Sequence, residues 1–498
     1  MIFLIKVENE IKITIAEDET NPFLLDHFTA VGKEYTATTD SLEVIGEIPQ
    51  DLNGIYIRNG HNQVHEPMGV YHTFDGDGML HAVHFENGKA TYRNRFVRTT
   101  GFLAEQAAQK SLWPGMLEPH LNTRQGWGSM RSMKDNAGTD VIAHAGKLLA
   151  TMSQCSEANR LDPITLDMAD TDSWNATIAP DGICSHFKVD NATGELMFFN
   201  FSEQYPYMHY GVVGPDNELK HYIPIDLPGV RWPHDLGITT NYSILHDLPF
   251  IFDPELLAKG ERKVTFFDDM PARFGIIPRH GTDKDIKWFE AKPCFILHLS
   301  NCYESGDKVI MEGCVTFNPR KPAVGKQGAD AIDKMKNQFD KGETRYRMYR
   351  WIFNMKTGET KEEFLDDEIT EFPAVNNEYV AKKYPYSYNS LFDMNIAWWL
   401  SGLKKYDLQE NTTQEYYYGE GRGGSEAHLA LRDNAVEEDD GYLITLVTDM
   451  KENRSECVIL DAKDITQGPV ARIILPHRIP IGAHACWVEA DRIKGERV

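Results

Sequence analysis

The sequence predicts an all-β fold, with a β-propeller as its natural architecture. Short β-prone runs alternate with turns along nearly the whole chain of 498 residues. No Ser/Gly-rich or Pro-rich linker divides these runs into separate domains. Antiparallel sheets repeated around an axis explain such a pattern, although the sequence has no strict repeat period. A pair of long β-sandwiches is the alternative.

Five pairs of β-prone runs predict antiparallel hairpins. The first pair has Asn87-Gly88 at its centre, and Asn-Gly is strongly favoured in two-residue hairpin turns. The five pairs lie at 84–92, 187–199, 212–219, 352–359 and 458–475.

Three segments depart from the strand pattern and are expected to be insertions in one domain spanning 1–498. Residues 101–135 begin with a helix-prone run and continue as a loop. Residues 321–342 are charged and helix-prone, and residues 385–405 are rich in aromatic side chains.

Composition excludes several classes of protein. The chain has 51 basic and 75 acidic residues, a net charge of −24, which disfavours nucleic acid as a partner. No run approaches the length of a membrane-spanning helix, and the start lacks the features of a signal peptide. Seven scattered cysteines predict reduced thiols and a cytoplasmic location.

Four of the 18 histidines lie in strand-like, mostly apolar contexts: His186, His234, His298 and His484. Each one alone is explained as an ordinary core histidine. Their intervals of 48, 64 and 186 residues, however, allow one histidine on each of four blades. Inner strands would then direct all four towards the axis, where neutral imidazoles suit iron, copper or zinc.

Two other metal sites are considered and disfavoured. Cys184 and Cys486 each lie two residues from one of these histidines, but the paired cysteine spacing of structural zinc sites is absent. The run Phe74–Met79 contains two aspartates, but it lacks the glutamate that would complete an EF-hand loop.

Two motifs add a family resemblance to this pattern. The stretches Gly54–Gly60 and Phe74–His81, together with the surroundings of the four histidines, resemble those of carotenoid cleavage oxygenases from about residue 20 to the end. The resemblance implies a seven-bladed propeller with a helical and loop dome over the metal. It also implies that His186, His234, His298 and His484 bind Fe(2+).

The same resemblance implies glutamates that hold the metal-binding histidines. Glu371 and Glu426 match two of these positions. Counting along the chain places the third at about Gln154, while Glu157 lies three residues out of register. A neutral glutamine there would leave one histidine without an anionic partner.

The implied reaction is cleavage of a conjugated carbon–carbon double bond by O2, which gives two carbonyl products. The resemblance favours a carotenoid or apocarotenoid substrate. Stilbene-cleaving relatives hold a phenol with a tyrosine and a lysine, whereas the corresponding places here are near Phe102 and Ser153, with Lys147 out of register. An isomerase and a non-enzymatic propeller that binds partners are further alternatives.

An apolar tunnel must bring such a polyene to the metal. Its candidate wall residues are Phe102, Trp113, Met116, Trp398 and Trp399, although ordinary core packing also explains them. We expect a cytoplasmic protein that makes peripheral membrane contact through segments 101–117 and 391–400.

Overall fold

The protein is described by a computed structural model that covers residues 5–116, 122–128, 131–169, 173–178, 181–257, 264–319, 345–393, 396, 398–482 and 484–493. Seven antiparallel sheets form the blades of a propeller, as predicted, and a two-stranded ribbon lies outside them. The predicted segment 321–342 lies outside the described residues.

Blades 1 to 3 contain the following strands, numbered in chain order. Blade 1 contains β1 (Lys6–Glu10), β2 (Lys33–Thr38), β4 (Gly54–Arg58), β5 (Met79–Glu86), β6 (Lys89–Phe96) and β33 (Ala485–Glu489). Blade 2 contains β7 (Asp140–His144), β8 (Lys147–Thr151) and β9 (Asn159–Leu161). Blade 3 contains β10 (Lys188–Asp190), β11 (Glu195–Phe201), β12 (Met208–Val213) and β13 (Leu219–Ile225).

Blades 4 to 7 follow along the chain. Blade 4 contains β14 (Gly237–Ile238), β15 (Tyr242–Asp247), β18 (Ala272–Pro278) and β19 (Lys287–Ala291), and the ribbon is β16 (Phe250–Phe252) and β17 (Val264–Phe266). Blade 5 contains β20 (Phe295–Ser305), β21 (Lys308–Thr316), β22 (Arg347–Asn354) and β23 (Thr360–Phe364). Blade 6 contains β24 (Thr370–Ala374), β25 (Tyr386–Phe392), β26 (Leu400–Asp407) and β27 (Thr412–Tyr417). Blade 7 contains β3 (Val44–Gly46), β28 (Arg422–Gly423), β29 (His428–Leu431), β30 (Gly441–Asp449), β31 (Arg454–Asp461) and β32 (Pro469–Ile474).

Strands from opposite ends of the chain close the ring twice. β33 pairs with β4 and becomes the inner strand of blade 1, with Cys486 opposite Ile57. β3 pairs with β32 at the outer edge of blade 7, with Val44 opposite Ile473. These pairings lock the first and last blades together.

All five predicted hairpins are present. The Asn-Gly turn joins β5 to β6, and both Asn87 (φ 51°) and Gly88 (φ 72°) adopt the left-handed conformation that this turn requires. Along β6 the buried and more exposed positions alternate, which matches its alternation of apolar and polar residues. Apolar clusters between neighbouring blades, such as the one around Trp351 and Phe274, hold the blades against one another.

Four α-helices are described: α1 (Thr100–Ala108), α2 (Ser173–Ile178), α3 (Pro254–Leu257) and α4 (Ala490–Ile493). The helix predicted at the start of 101–135 is α1. The expected insertion at 385–405 is instead mostly blade structure, because β25 and β26 occupy most of it and pair with each other. Its aromatic residues misled the prediction, since these strands are buried and β-prone. Among the described residues, no helix is long and apolar enough to cross a membrane.

The Phe74–His81 motif attaches the dome to the propeller, where the dome comprises the described residues of segment 99–139 and of the loop 393–399. The Asp77 carboxylate pairs with the buried Lys134 ammonium at 2.7 Å, and Lys134 also bonds Glu105 of α1 at 2.6 Å. A Cβ atom on Gly78 would lie 2.5 Å from the Ala137 carbonyl oxygen, so a residue without a side chain is needed there. Asp77 thus pairs with a lysine within the fold and is not available to a calcium loop.

Candidate metal centre

Four histidines converge at one end of the propeller axis. His186 lies two residues before β10, His234 three residues before β14, and His484 directly before β33, whereas His298 lies within β20. These four strands are inner-edge strands of four different blades. The inner strands therefore bring together residues that are up to 298 positions apart in the sequence.

Local irregularities of the backbone direct two of these rings. The ladder between β20 and β21 changes register on both sides of Leu299, next to His298, and such bulges re-aim neighbouring side chains. His186 has a φ of 66°, which is uncommon for a residue other than glycine. Its N–H donates to Asp140 Oδ2 at 3.0 Å, which holds the residue in this conformation.

The four imidazole rings form one compact cluster. The ring centroid of His186 lies 4.6 Å from that of His234, 4.8 Å from that of His298 and 4.5 Å from that of His484. The centroids of His298 and His484 are 4.6 Å apart, and those of His234 and His298 are 5.3 Å apart. One ring nitrogen from each of His186, His298 and His484 lies within 4.8 Å of the other two.

The environment keeps most of this cluster neutral. Burial, reinforced by the neighbouring histidines, holds the pKa values of His186, His234 and His298 well below the ordinary value. Burial also acts to lower the pKa of His484, but the Glu426 carboxylate outweighs it and raises that pKa overall. Neutral imidazoles have a free lone pair, as a metal ligand requires.

Two glutamates orient two of the rings through Nδ1. His298 Nδ1 donates to Glu371 Oε2 at 2.5 Å, and His484 Nδ1 lies 3.3 Å from Glu426 Oε2. Each oxygen also accepts a backbone N–H at 2.7 Å, from Phe372 and Ala485 respectively. Bonding at Nδ1 fixes the tautomer that leaves Nε2 free to bind a metal.

A carboxylate that the sequence analysis does not single out faces a third histidine of the cluster. In the part of the chain that is described, no side-chain hydrogen bond joins Gln154 or Glu157 to a site histidine. Instead, Asp140 at the start of β7 places Oδ2 3.7 Å from His186 Nδ1, while the same oxygen accepts the His186 N–H. Asp140 thus repeats the arrangement of the two glutamates, with one carboxylate oxygen facing both a backbone N–H and a histidine Nδ1.

The residues present fit a transition metal. His186 Nε2 and His298 Nε2 are buried and have no hydrogen-bond partner in the described structure, and a bound cation would satisfy both. The cysteines are engaged elsewhere: Cys184 Sγ donates to the Ser153 carbonyl at 3.2 Å, and Cys486 packs in an apolar cluster. All seven cysteines are unpaired and buried.

A small apolar cavity of about 40 Å³ lies on the dome side of the histidines. Its walls combine three of the site histidines with aromatic and aliphatic side chains. They are formed by Phe28, His61, Thr73, Phe74, Thr139, His234, Leu297, His298, Phe372, Trp398, Ile481, Gly482 and His484. A larger cavity of about 540 Å³ follows the inner strands along the axis, from His186 and Glu426 to Arg492 of α4.

Of the five predicted tunnel residues, Trp398 lines the dome-side cavity. Phe102 is instead core, because it is buried and stacks on Phe96 with ring centroids 5.2 Å apart. Trp399 is buried against Gly423, and Trp113 lines a separate cavity of about 30 Å³ in the dome. Met116 lies beside that cavity, where its backbone N–H donates to Asp75.

A propeller with four histidines from four blades at its axis defines a metal-dependent class of protein. Similarity to known proteins identifies the family. The family model described as retinal pigment epithelial membrane protein (RPE65) matches residues 28–489. A carotenoid 9,10(9′,10′)-cleavage dioxygenase of Crocus sativus is 32% identical, over 97% of this chain and 92% of the relative. An isoeugenol monooxygenase of Pseudomonas nitroreducens is 30% identical, over 90% of this chain and 94% of the relative.

Solved structures agree with these sequence relatives. The lignostilbene dioxygenase of Pseudomonas brassicacearum superimposes with a TM-score of 0.81 at 25% identity, over 96% of this chain and 100% of that one. The chain therefore belongs to the RPE65/carotenoid cleavage oxygenase family, as its motifs indicate, and it is an oxygenase.

Proposed function

We propose that this protein is a non-heme Fe(II) dioxygenase that cleaves a conjugated double bond of a carotenoid or apocarotenoid. The supporting observation is the cluster of four imidazoles, two of them with an unpartnered Nε2, beside an apolar cavity that three of them line. The relative from Crocus sativus, named for carotenoid cleavage, favours this substrate class. The alkene and one O2 give two carbonyl groups, so both oxygen atoms are retained in the products.

In this reaction the chain holds the metal, orients the histidine rings and shields the reacting bond from water. A bound ferrous ion would supply the one-electron chemistry that allows O2 to react with an alkene. Glu371, Glu426 and Asp140 hold the Nδ1 sides of three histidines, which leaves the Nε2 lone pairs directed inwards. Phe74, Phe372 and Trp398 line the cavity and exclude water from the reacting bond. No protein nucleophile or acid–base pair is required.

Cleavage of an aryl alkene is the second candidate, because the relative from Pseudomonas nitroreducens is named for isoeugenol and a superimposed structure is a lignostilbene dioxygenase. The places expected to hold a phenol do not supply a clamp. Phe102 is a core residue, and the Ser153 backbone carbonyl accepts a hydrogen bond from the Cys184 thiol.

Product analysis tests the proposal directly. Fe(II)-loaded protein is incubated under ¹⁸O2 with a β-apocarotenal, a carotenoid, isoeugenol and 4-hydroxystilbene, and the products are identified by mass. We expect two labelled carbonyl products and fastest cleavage of the β-apocarotenal. Faster cleavage of 4-hydroxystilbene or isoeugenol would establish the second candidate, and no cleavage of any alkene would refute both.

A further inference from the structure

One polar side chain in the dome-side cavity has no role in the metal centre. His61 follows β4 and forms a β-bridge with Gly78 of the dome motif. It is only 8% exposed and lines the same cavity as His234, His298 and His484. Like His234, it does not belong to the group of ring nitrogens, from His186, His298 and His484, that lie within 4.8 Å of one another.

The surrounding backbone fixes the orientation of the His61 ring. Nδ1 lies 3.4 Å from the Gly76 carbonyl oxygen, and a Cβ atom on Gly138 would lie 2.4 Å from that nitrogen. Phe74 packs against the ring with centroids 5.2 Å apart. The backbone thus encloses the Nδ1 edge of the ring. We infer that the Nε2 edge faces the cavity.

His61 Nε2 is buried and has no hydrogen-bond partner among the described residues. Burial lowers the pKa of His61 to about 4, so the ring is neutral at physiological pH. With its proton on Nδ1, facing the Gly76 carbonyl, the ring has an acceptor lone pair on Nε2. Buried acceptors are normally satisfied, and the missing donor is therefore expected to arrive with a ligand.

We propose that His61 Nε2 accepts a hydrogen bond from a hydroxyl group of the substrate, so that the enzyme selects hydroxylated conjugated alkenes. This inference rests on the proposed function, which places the reacting bond at the histidine cluster. Because the cavity of about 40 Å³ is small, the hydroxyl lies close to the cleaved bond. Phenolic alkenes and ring-hydroxylated apocarotenoids share this chemistry.

Binding measurements separate the hydroxyl contact from catalysis. Anaerobic Fe(II)-loaded protein is titrated calorimetrically with two pairs of ligands: 4-hydroxystilbene with 4-methoxystilbene, and a 3-hydroxy-β-apocarotenal with the unsubstituted β-apocarotenal. We expect the hydroxylated member of at least one pair to bind about tenfold more tightly, the scale of one buried hydrogen bond. The pair that shows the preference identifies the source of the hydroxyl.

Variants then assign that preference to His61. His61→Phe keeps a flat ring but removes the acceptor, so it should abolish the difference in affinity between the two members of the pair. His61→Gln restores an acceptor oxygen and should recover part of the preference. His280→Phe, on an exposed residue paired with Glu195, is the matched control and should change neither. Melting temperature and iron content verify that each variant is folded and loaded.

A preference that persists in His61→Phe, or wild-type protein that favours neither hydroxylated ligand, would overturn the inference. Cleavage of the unhydroxylated alkenes tests the proposed function separately. If they are cleaved without any hydroxyl preference, the proposed function stands and the role of His61 is wrong. If binding shows the preference but no alkene is cleaved, the role of His61 stands and the proposed function is wrong.

Discussion

At the level of single residues, the four histidines form the part of the centre that is easiest to test. Each is expected to contribute one ring nitrogen, so His186→Ala, His234→Ala, His298→Ala and His484→Ala should each remove most of the bound iron and the activity. Iron is measured by elemental analysis after dialysis against a weak chelator. His246→Ala, a buried histidine of β15 outside the cluster, is the control. Full iron content in two of the four variants would contradict the assignment.

Asp140 provides the sharpest test of how the histidines are held. Asp140→Asn keeps an oxygen that can accept the His186 N–H but removes the negative charge facing Nδ1. We expect metal affinity to fall about 10–100-fold, as when other carboxylates behind metal-binding histidines are removed. Glu371→Gln and Glu426→Gln should behave similarly.

Competition with a fluorescent chelator measures these affinities. Glu157→Gln and Gln154→Glu serve as controls, because neither side chain bonds a site histidine in the described structure. If Glu157→Gln loses as much metal affinity as Asp140→Asn, the third carboxylate behind the histidines would lie near Gln154 and Glu157, as the sequence analysis predicts.

At the level of elements, the loop between β29 and β30 contains a carboxyl group that should govern part of the pH dependence of stability. Burial and the neighbouring Asp439 charge raise the pKa of Glu438 from 4.5 to about 8. The folded state therefore retains a proton that the unfolded state has lost. Stability from this group is complete below pH 4.5 and declines as the pH rises through 8.

Glu438→Gln should flatten this profile. The amide remains neutral at every pH. At pH 8–9 the free energy of unfolding of the variant should therefore exceed that of wild type by on the order of 2–4 kcal/mol, and its melting temperature should be higher. Thermal unfolding at a series of pH values between 5 and 9 measures the difference. The exposed neighbour change Glu437→Gln is the control, and a Glu438→Gln profile parallel to wild type would refute the assignment.

The elements also show how much the sequence predicts. Hairpins with explicit turn residues, such as Asn87-Gly88, were predicted because the signal is local. The four histidines were identified because their contexts match a family motif. Asp140 and His61 were missed because their roles depend on which strands and loops meet in space. Asp140 faces His186 across two blades, and His61 is enclosed by Gly76 and Gly138, so neither contact leaves a fixed spacing in the sequence.

At the scale of the whole molecule, the proposed polyene substrate would have to reach an acidic protein from a membrane. We propose that the dome supplies the contact, and its segments carry exposed apolar side chains, including Leu103 at 53% and Ile396 at 38% exposure. The protein should bind carotenoid-containing liposomes reversibly and with little salt dependence, because the attraction is apolar and the net charge is −24.

Liposome flotation at low and high salt measures this association. Leu103→Asp should weaken it, whereas Val436→Asp, at a 91% exposed position in blade 7, should not. Equal effects of the two changes, or binding that disappears in high salt, would contradict apolar contact through the dome.

The closure of the ring by β33 has a consequence for the order of events during synthesis. His484 directly precedes this strand, and every other strand of the described residues is translated before it. A nascent chain can already contain His186, His234 and His298 while the fourth histidine of the cluster is still missing. Complete metal capture must therefore wait until β33 has left the ribosome and paired with β4. Metal uptake would thus report that β33 has closed blade 1, and chains stalled before that point should be released without a full centre.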